Sequence, residues 1–194
     1  MILWSGLGQS NSKLVISLNH LPQPYIAFGS KGNHKTSFLN TITTLLMEAK
    51  ALQAGLNELL ETLKDGQRGY TEAMTDVEDA DLKQIFKKYA AQRSEYITEL
   101  EDQMHKLNLH PEEESSITGT VHRAFINLKS MVTGKDRHSI LAECERGEDY
   151  AKKAYETAQK LQEVPGALKT LIERQAAGIK QGHDEMRSLR DASK

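Results

Sequence analysis

Chemistry in this chain would have to come from a few polar residues set into otherwise apolar helical stripes. Glu148 lies on the edge of the run Ile140, Cys144, Gly147, Ala151, Ala154, Ala158, Leu161. Its alternating four- and three-residue steps put small side chains along one side of a helix, where a neighbouring helix can come close. Arg93 interrupts the stripe Leu82, Phe86, Tyr89, Tyr96, Leu100, Leu107, and Gln175 interrupts Leu168, Ile172, Ile179, Gly182, Met186, Leu189. A charge buried alone is very costly, so Arg93 and Glu148 are expected to pair across two helices. Together with Gln175 they would form a polar layer at mid-bundle. Gly66, Gly69, Gly147, Gly178 and Gly182 fall near the same level. Each costs about 1 kcal/mol relative to alanine inside a helix, so close helix approach, a bulge or room between helices is expected in return.

Metal chemistry is the sharpest test of that layer. Di-iron bundles draw one Glu from each of two helices and a Glu-x-x-His from each of the other two, which brings carboxylates and imidazoles onto facing surfaces. Three residues before His183 stands Lys180, before His122 Gly119, and before His138 Lys135. Only Asp102–His105 approaches the spacing, with Asp for Glu and off the Leu100–Leu107 stripe. The full donor set is absent. Glu148 with His183 is left as a candidate partial metal site, for iron or manganese; otherwise no cofactor is called for. Cys144 stands between Glu143 and Glu145, which disfavour a thiolate, and reads as a small packing residue. Tyr70, Tyr89, Tyr96 and Tyr155 read as core or core-edge residues, and Glu112–Glu114 as a solvated loop. No glycine-rich phosphate loop follows a strand.

Four long helices are expected to position these residues. The first carries Leu45, Ala49, Leu52, Leu56, Leu59, Leu63, Gly66, Tyr70, Ala73 and Val77 in unbroken four–three steps. Asp76, Asp79 and Asp81 mark a tight turn, with Asp79 as N-cap of a second helix that runs to about Leu107. A shorter amphipathic helix is expected near Thr118–Thr133, within a long connection ended by Gly134, and Asp136 can cap the third helix. Pro165 suits the first turn of the fourth. The pattern predicts an all-α, ferritin-like four-helix bundle with a short extra helix in the crossover between helices two and three. No exposed apolar stripe is left over.

Composition bounds the rest. The chain has 194 residues, 38% hydrophobic and 27% charged, with a formal net charge of −2 and no basic block, which does not suggest nucleic acid. One cysteine excludes an internal disulfide. No segment reaches the roughly 18 apolar residues of a membrane span. Residues 1–47 hold Lys13, Lys31 and Lys35 and no acid, so all 27 acids lie in 48–194. With Pro22, Pro24 and no sustained helical period over residues 1–40, the stretch 1–46 is expected to be a disordered or non-native extension of a 47–192 bundle domain.

The blocks LNELLETLKDGQRGY (56–70), AFINLKSMVTGKD (124–136), ECERGEDYAKKAY (143–155) and LIERQ…HDEMRSLR (171–190) occur in an order that resembles a bacterial four-helix-bundle family, the domain of unknown function 2383. The resemblance covers roughly 47–190 and implies a ferritin-like fold and no established activity. The expected function is that of a cytoplasmic, non-enzymatic bundle acting through a protein partner, a small ligand or self-association. The alternative is a degenerate ferritin-like metal binder or oxidase with an incomplete di-metal site.

Overall fold

The structure, a computed structural model, describes residues 34–111, 136–162 and 164–193, with side chains from residue 40. They form four helices: α1 (His34–Asp76), α2 (Ala80–Lys106), α3 (Arg137–Ala158) and α4 (Gly166–Ala192). The expected helix near Thr118–Thr133, Glu112–Glu114, His122 and most of the expected N-terminal extension lie outside the described residues.

Local signals set most of the helix ends. The Asp79 carboxylate accepts from the amides of Asp81 and Leu82, starting α2. Asp136 accepts from the Ser139 amide in the same way. At the end of α2, Asn108 takes φ 56°, the left-handed conformation that asparagine tolerates. Pro165 precedes α4 rather than lying within it, because the helix begins at Gly166.

Helix α1 departs from expectation at its start. It begins at His34, well ahead of Leu45, and no glycine or proline stands between Gly32 and Gly55. Packing begins later: Leu52 is the first α1 residue against the core, and Leu56 is fully buried. At 43 residues α1 is about 64 Å long against about 40 Å for the 27-residue α2 and α4. Its first turns therefore overhang the bundle. Ile42, Leu45, Leu46 and Met47 on this overhang are exposed, so an apolar face is left over after all.

The helices occupy the corners of a square. α1 packs on α2, α3 on α4, α1 on α3 and α2 on α4, while α2 faces α3, and α1 faces α4, across the diagonals. One apolar cluster joins Leu56–Leu63 of α1, Leu100 and Met104 of α2, Ala151–Ala158 of α3 and Leu168–Ile179 of α4. The other joins Tyr70–Val77, Leu82–Tyr89, Ile140–Cys144 and Met186. Chain directions follow from this: α1 runs up, α2 down, α3 down and α4 up. Two antiparallel hairpins are thus linked by a segment that leaves α2 at one end and enters α3 at the other. Between the two apolar clusters lies the waist.

Candidate functional site at the bundle waist

Arg93 and Glu148 occupy the centre of the waist, with 1% and 0% of their side chains exposed. The Arg93 Nη2 donates to both carboxylate oxygens of Glu148, at 2.5 and 2.6 Å. The pair spans the α2–α3 diagonal, which no backbone contact bridges. A long side chain is needed for that reach, and Arg93 heads the largest fully buried side chains. The Tyr70 hydroxyl on α1 donates to Glu148 Oε1 at 2.6 Å, and Arg93 Nη1 donates to the Gln92 amide oxygen. Burial, the largest single effect, would lower the Arg93 pKa, but Glu148 together with Tyr70, Tyr155 and Tyr96 outweighs it and holds the guanidinium above its usual range. Burial first, then Glu148, push the Tyr70 phenol well above its own.

Helix α4 supplies space at this level. A β-carbon at Gly182 would stand 2.9 Å from the Tyr89 ring and 3.4 Å from Glu148 Oε2. The Tyr89 hydroxyl turns outward to donate to Glu185 Oε2 at 2.8 Å, where Lys88 also pairs at 2.6 Å. A β-carbon at Gly178 would collide with the Tyr96 hydroxyl. The mid-helix glycines of α4 therefore make room for the Tyr89 and Tyr96 side chains of α2.

Gln175 belongs to the next layer down. It accepts from Tyr155 at 2.8 Å and donates to the Tyr96 carbonyl at 3.2 Å and to Glu99 Oε2 at 2.9 Å. Arg174 reaches Glu99 as well, at 2.6 Å. These bonds overcome the effect of burial and lower the Glu99 pKa. Gln175 makes no hydrogen bond with Arg93 or Glu148 among the described residues, so the expected single layer is two stacked ones.

His183 is buried but faces another way. Its Nε2 lies 3.1 Å from Asp149 Oδ1 and 3.9 Å from Glu145 Oε1, and its Nδ1 lies 3.0 Å from Asp184. Glu145 is itself paired with Arg190. Glu148 and His183 share no hydrogen bond or ion pair among the described residues, although their helices touch. Asp102 and His105 are both exposed on α2. The residues of the waist do not fit a di-metal centre: Glu148 already accepts three hydrogen bonds, two from a guanidinium whose charge it balances and one from a phenol, and no second carboxylate or imidazole bonds to it among the described residues. Among the described residues no three His, Cys, Asp or Glu side chains are grouped to hold a metal ion.

Cys144 is buried in the upper cluster, and burial, then Glu148, raise its thiol pKa, as suits an inert packing residue. Sequence reasoning overlooked the tyrosine hydroxyls. Tyr70, Tyr155 and Tyr89 each place a ring in an apolar cluster and an oxygen on Glu148, Gln175 or Glu185. The available signal was the presence of tyrosine rather than phenylalanine on stripes that also carry buried polar residues.

Residues 51–161, more than half of the chain, match the family model described as a domain of unknown function (DUF2383). The match starts where α1 begins to pack and takes in Tyr70, Arg93 and Glu148. No curated protein matches the chain. Among the described residues no helix is long and apolar enough to cross a membrane.

Proposed function

The chain belongs to the DUF2383 family, and from that starting point we propose that it is a non-enzymatic helical bundle of ferritin-like topology that acts through its outer surface. Its counterpart is a protein partner, a small ligand or a second copy, and its place is the cytoplasm. The observation that carries this reading is the closed state of Glu148. A general acid or base needs a reacting atom within reach, and a metal ligand needs an open coordination side. Glu148 has a guanidinium and a phenol on its carboxylate and is fully buried. The up-down-down-up order of the hairpins supports the ferritin-like part, and the internal Arg93–Glu148 pair takes the place of a metal's charge.

Elemental analysis of the full chain, purified without added metal and again after dialysis against iron(II) or manganese(II), tests the reading. Sub-stoichiometric metal in both samples is expected. Stoichiometric iron or manganese that disappears in Glu148→Ala or His183→Ala would overturn it in favour of a metal-binding protein or oxidase.

A further inference from the structure

All the large hydrophobic side chains that are exposed among the described residues lie in one place. They are Ile42, Leu45, Leu46 and Met47, 38–67% exposed, on the overhang of α1. We propose that this overhang is an arm through which the chain pairs with a second copy of itself. The proposal rests on the reading above, that the protein works through its surface, and names the surface and the partner.

Two observations support a second copy. The first is continuity. Leu45, Ala49, Leu52, Leu56 and Leu59 form one seam, which is buried from Leu56 onward and bare at Leu45. Ile42 and Leu45 thus present to solvent the same face that α1 presents to its own core, with Met47 round the helix from them, and helical apolar surface is what that face fits. The second is a receptor at the same end. A cavity of about 220 Å³, lined by Ala158, Leu161, Val164 and Ile172 with Lys169 and Glu173 beside it, opens at the α3–α4 turn. Leu161 packs so closely on α1 that a β-carbon at Gly55 would stand 2.9 Å from its methyl carbons. Arm and cavity therefore lie side by side on one molecule. That is the arrangement a two-fold pair requires, since each copy must offer both halves of the contact.

A lipid surface suits the arm less well. Its polar side over 40–47 is built from Asn40, Thr41, Thr43 and Thr44, with none of the lysine or arginine that draws amphipathic helices to anionic membranes.

Sedimentation velocity on the full chain tests the proposal. The expected mass is twice the 21.7 kDa of one chain. It should fall to a single chain in Leu45→Glu/Met47→Glu and shift towards a single chain in Val164→Glu, with far-UV circular dichroism and the thermal midpoint of the bundle retained in the arm variant. A wild-type chain that sediments as one copy overturns the proposal, and so does a dimer that survives in the arm variant. A single copy that floats with phosphatidylcholine vesicles, and ceases to do so in the arm variant, assigns the arm to lipid and overturns it too. None of these outcomes touches metal at Glu148. The arm can therefore fail while the non-enzymatic reading stands, and the reverse result would come from elemental analysis alone.

Discussion

Breaking the Arg93–Glu148 pair should destabilise the bundle far more than replacing it. The perturbations are Arg93→Met, Glu148→Leu and the two together. Removing one partner of a buried pair leaves an uncompensated charge in the core, at about 3–5 kcal/mol. Glu148→Leu should be the worse single change. A stranded carboxylate can be neutralised by a proton, but a guanidinium cannot. The Tyr70 hydroxyl also loses its acceptor, which is buried with it, at a further ~1–3 kcal/mol. In the double variant no charge is left in the waist. Replacing a buried pair by apolar residues of similar size is neutral or stabilising by about 1–4 kcal/mol, and the lost Tyr70–Glu148 hydrogen bond offsets about 1–3 kcal/mol of that. The double variant should therefore sit near the wild type.

Urea unfolding followed by circular dichroism gives all four corners of the cycle. The two single losses should sum to about 7–13 kcal/mol, comparable with the whole stability of an ordinary domain. Where a single variant is unfolded in buffer, Glu148→Gln, which keeps the shape and one acceptor, supplies a measurable corner. The reasoning predicts a coupling energy of several kcal/mol between Arg93 and Glu148. Additivity within about 0.5 kcal/mol, or a double variant less stable than either single one, would refute it.

Three further outcomes follow from the same geometry. Gly178→Ala should destabilise by about 1–3 kcal/mol because its β-carbon meets the Tyr96 hydroxyl. Adding Tyr96→Phe, which deletes the colliding atom, should restore most of the loss in thermal unfolding; no recovery would show that the clash is elsewhere. Asn57 is buried on α1 with both amide atoms unpartnered, so Asn57→Leu should raise stability by about 1–3 kcal/mol, and an unchanged or lower urea midpoint would contradict this. The folded-state pKa of Glu99 lies below its usual 4.5. A depressed carboxylate pKa adds stability above the unfolded value and loses it as pH falls through the folded one. Urea midpoints should therefore decline below about pH 4.5, less steeply in Glu99→Gln, and identical slopes in the two proteins would remove Glu99 from the account.

Most of the helical frame was legible because amphipathic seams leave a period that composition cannot mimic. Leu56, Leu59, Leu63, Leu100, Ala151, Ile172 and Ile179 all fall inside one core, as their four–three spacing requires. Asp79 and Asp136 were legible as caps for a local reason: each needs only the next few amides. The beginning of α1 was not legible. Threonines at 41, 43 and 44 carry little apolar periodicity, and the helix there persists through the absence of a breaker rather than through packing. The orientation of His183 was equally hidden. Its position beside Gly182 says that it is near the core, but whether the ring turns to Glu148 or to Asp149 depends on the rotation of α4 against α3, which spacing along one helix does not encode.

The diagonal placement of Arg93 and Glu148 ties these points together. In a square bundle adjacent helices can meet through short side chains, but opposite corners cannot. A charge pair across the α2–α3 diagonal must displace apolar filling from the waist, and Gly182 leaves room beside it: Tyr89 packs against the missing side chain, with Glu148 Oε2 next to the ring. The same reasoning explains why α2 and α3, which begin at the same end and run parallel, are held in one relative height. Sliding either helix by a turn, about 5.4 Å, would separate guanidinium from carboxylate and leave two bare charges in the core. The pair acts as a register key between the two hairpins, whatever it contributes to net stability. A double variant that matches the wild type in urea yet gives broadened, multiple amide resonances would show the loss of that key. A double variant with a single sharp set would show that the apolar seams set the register unaided.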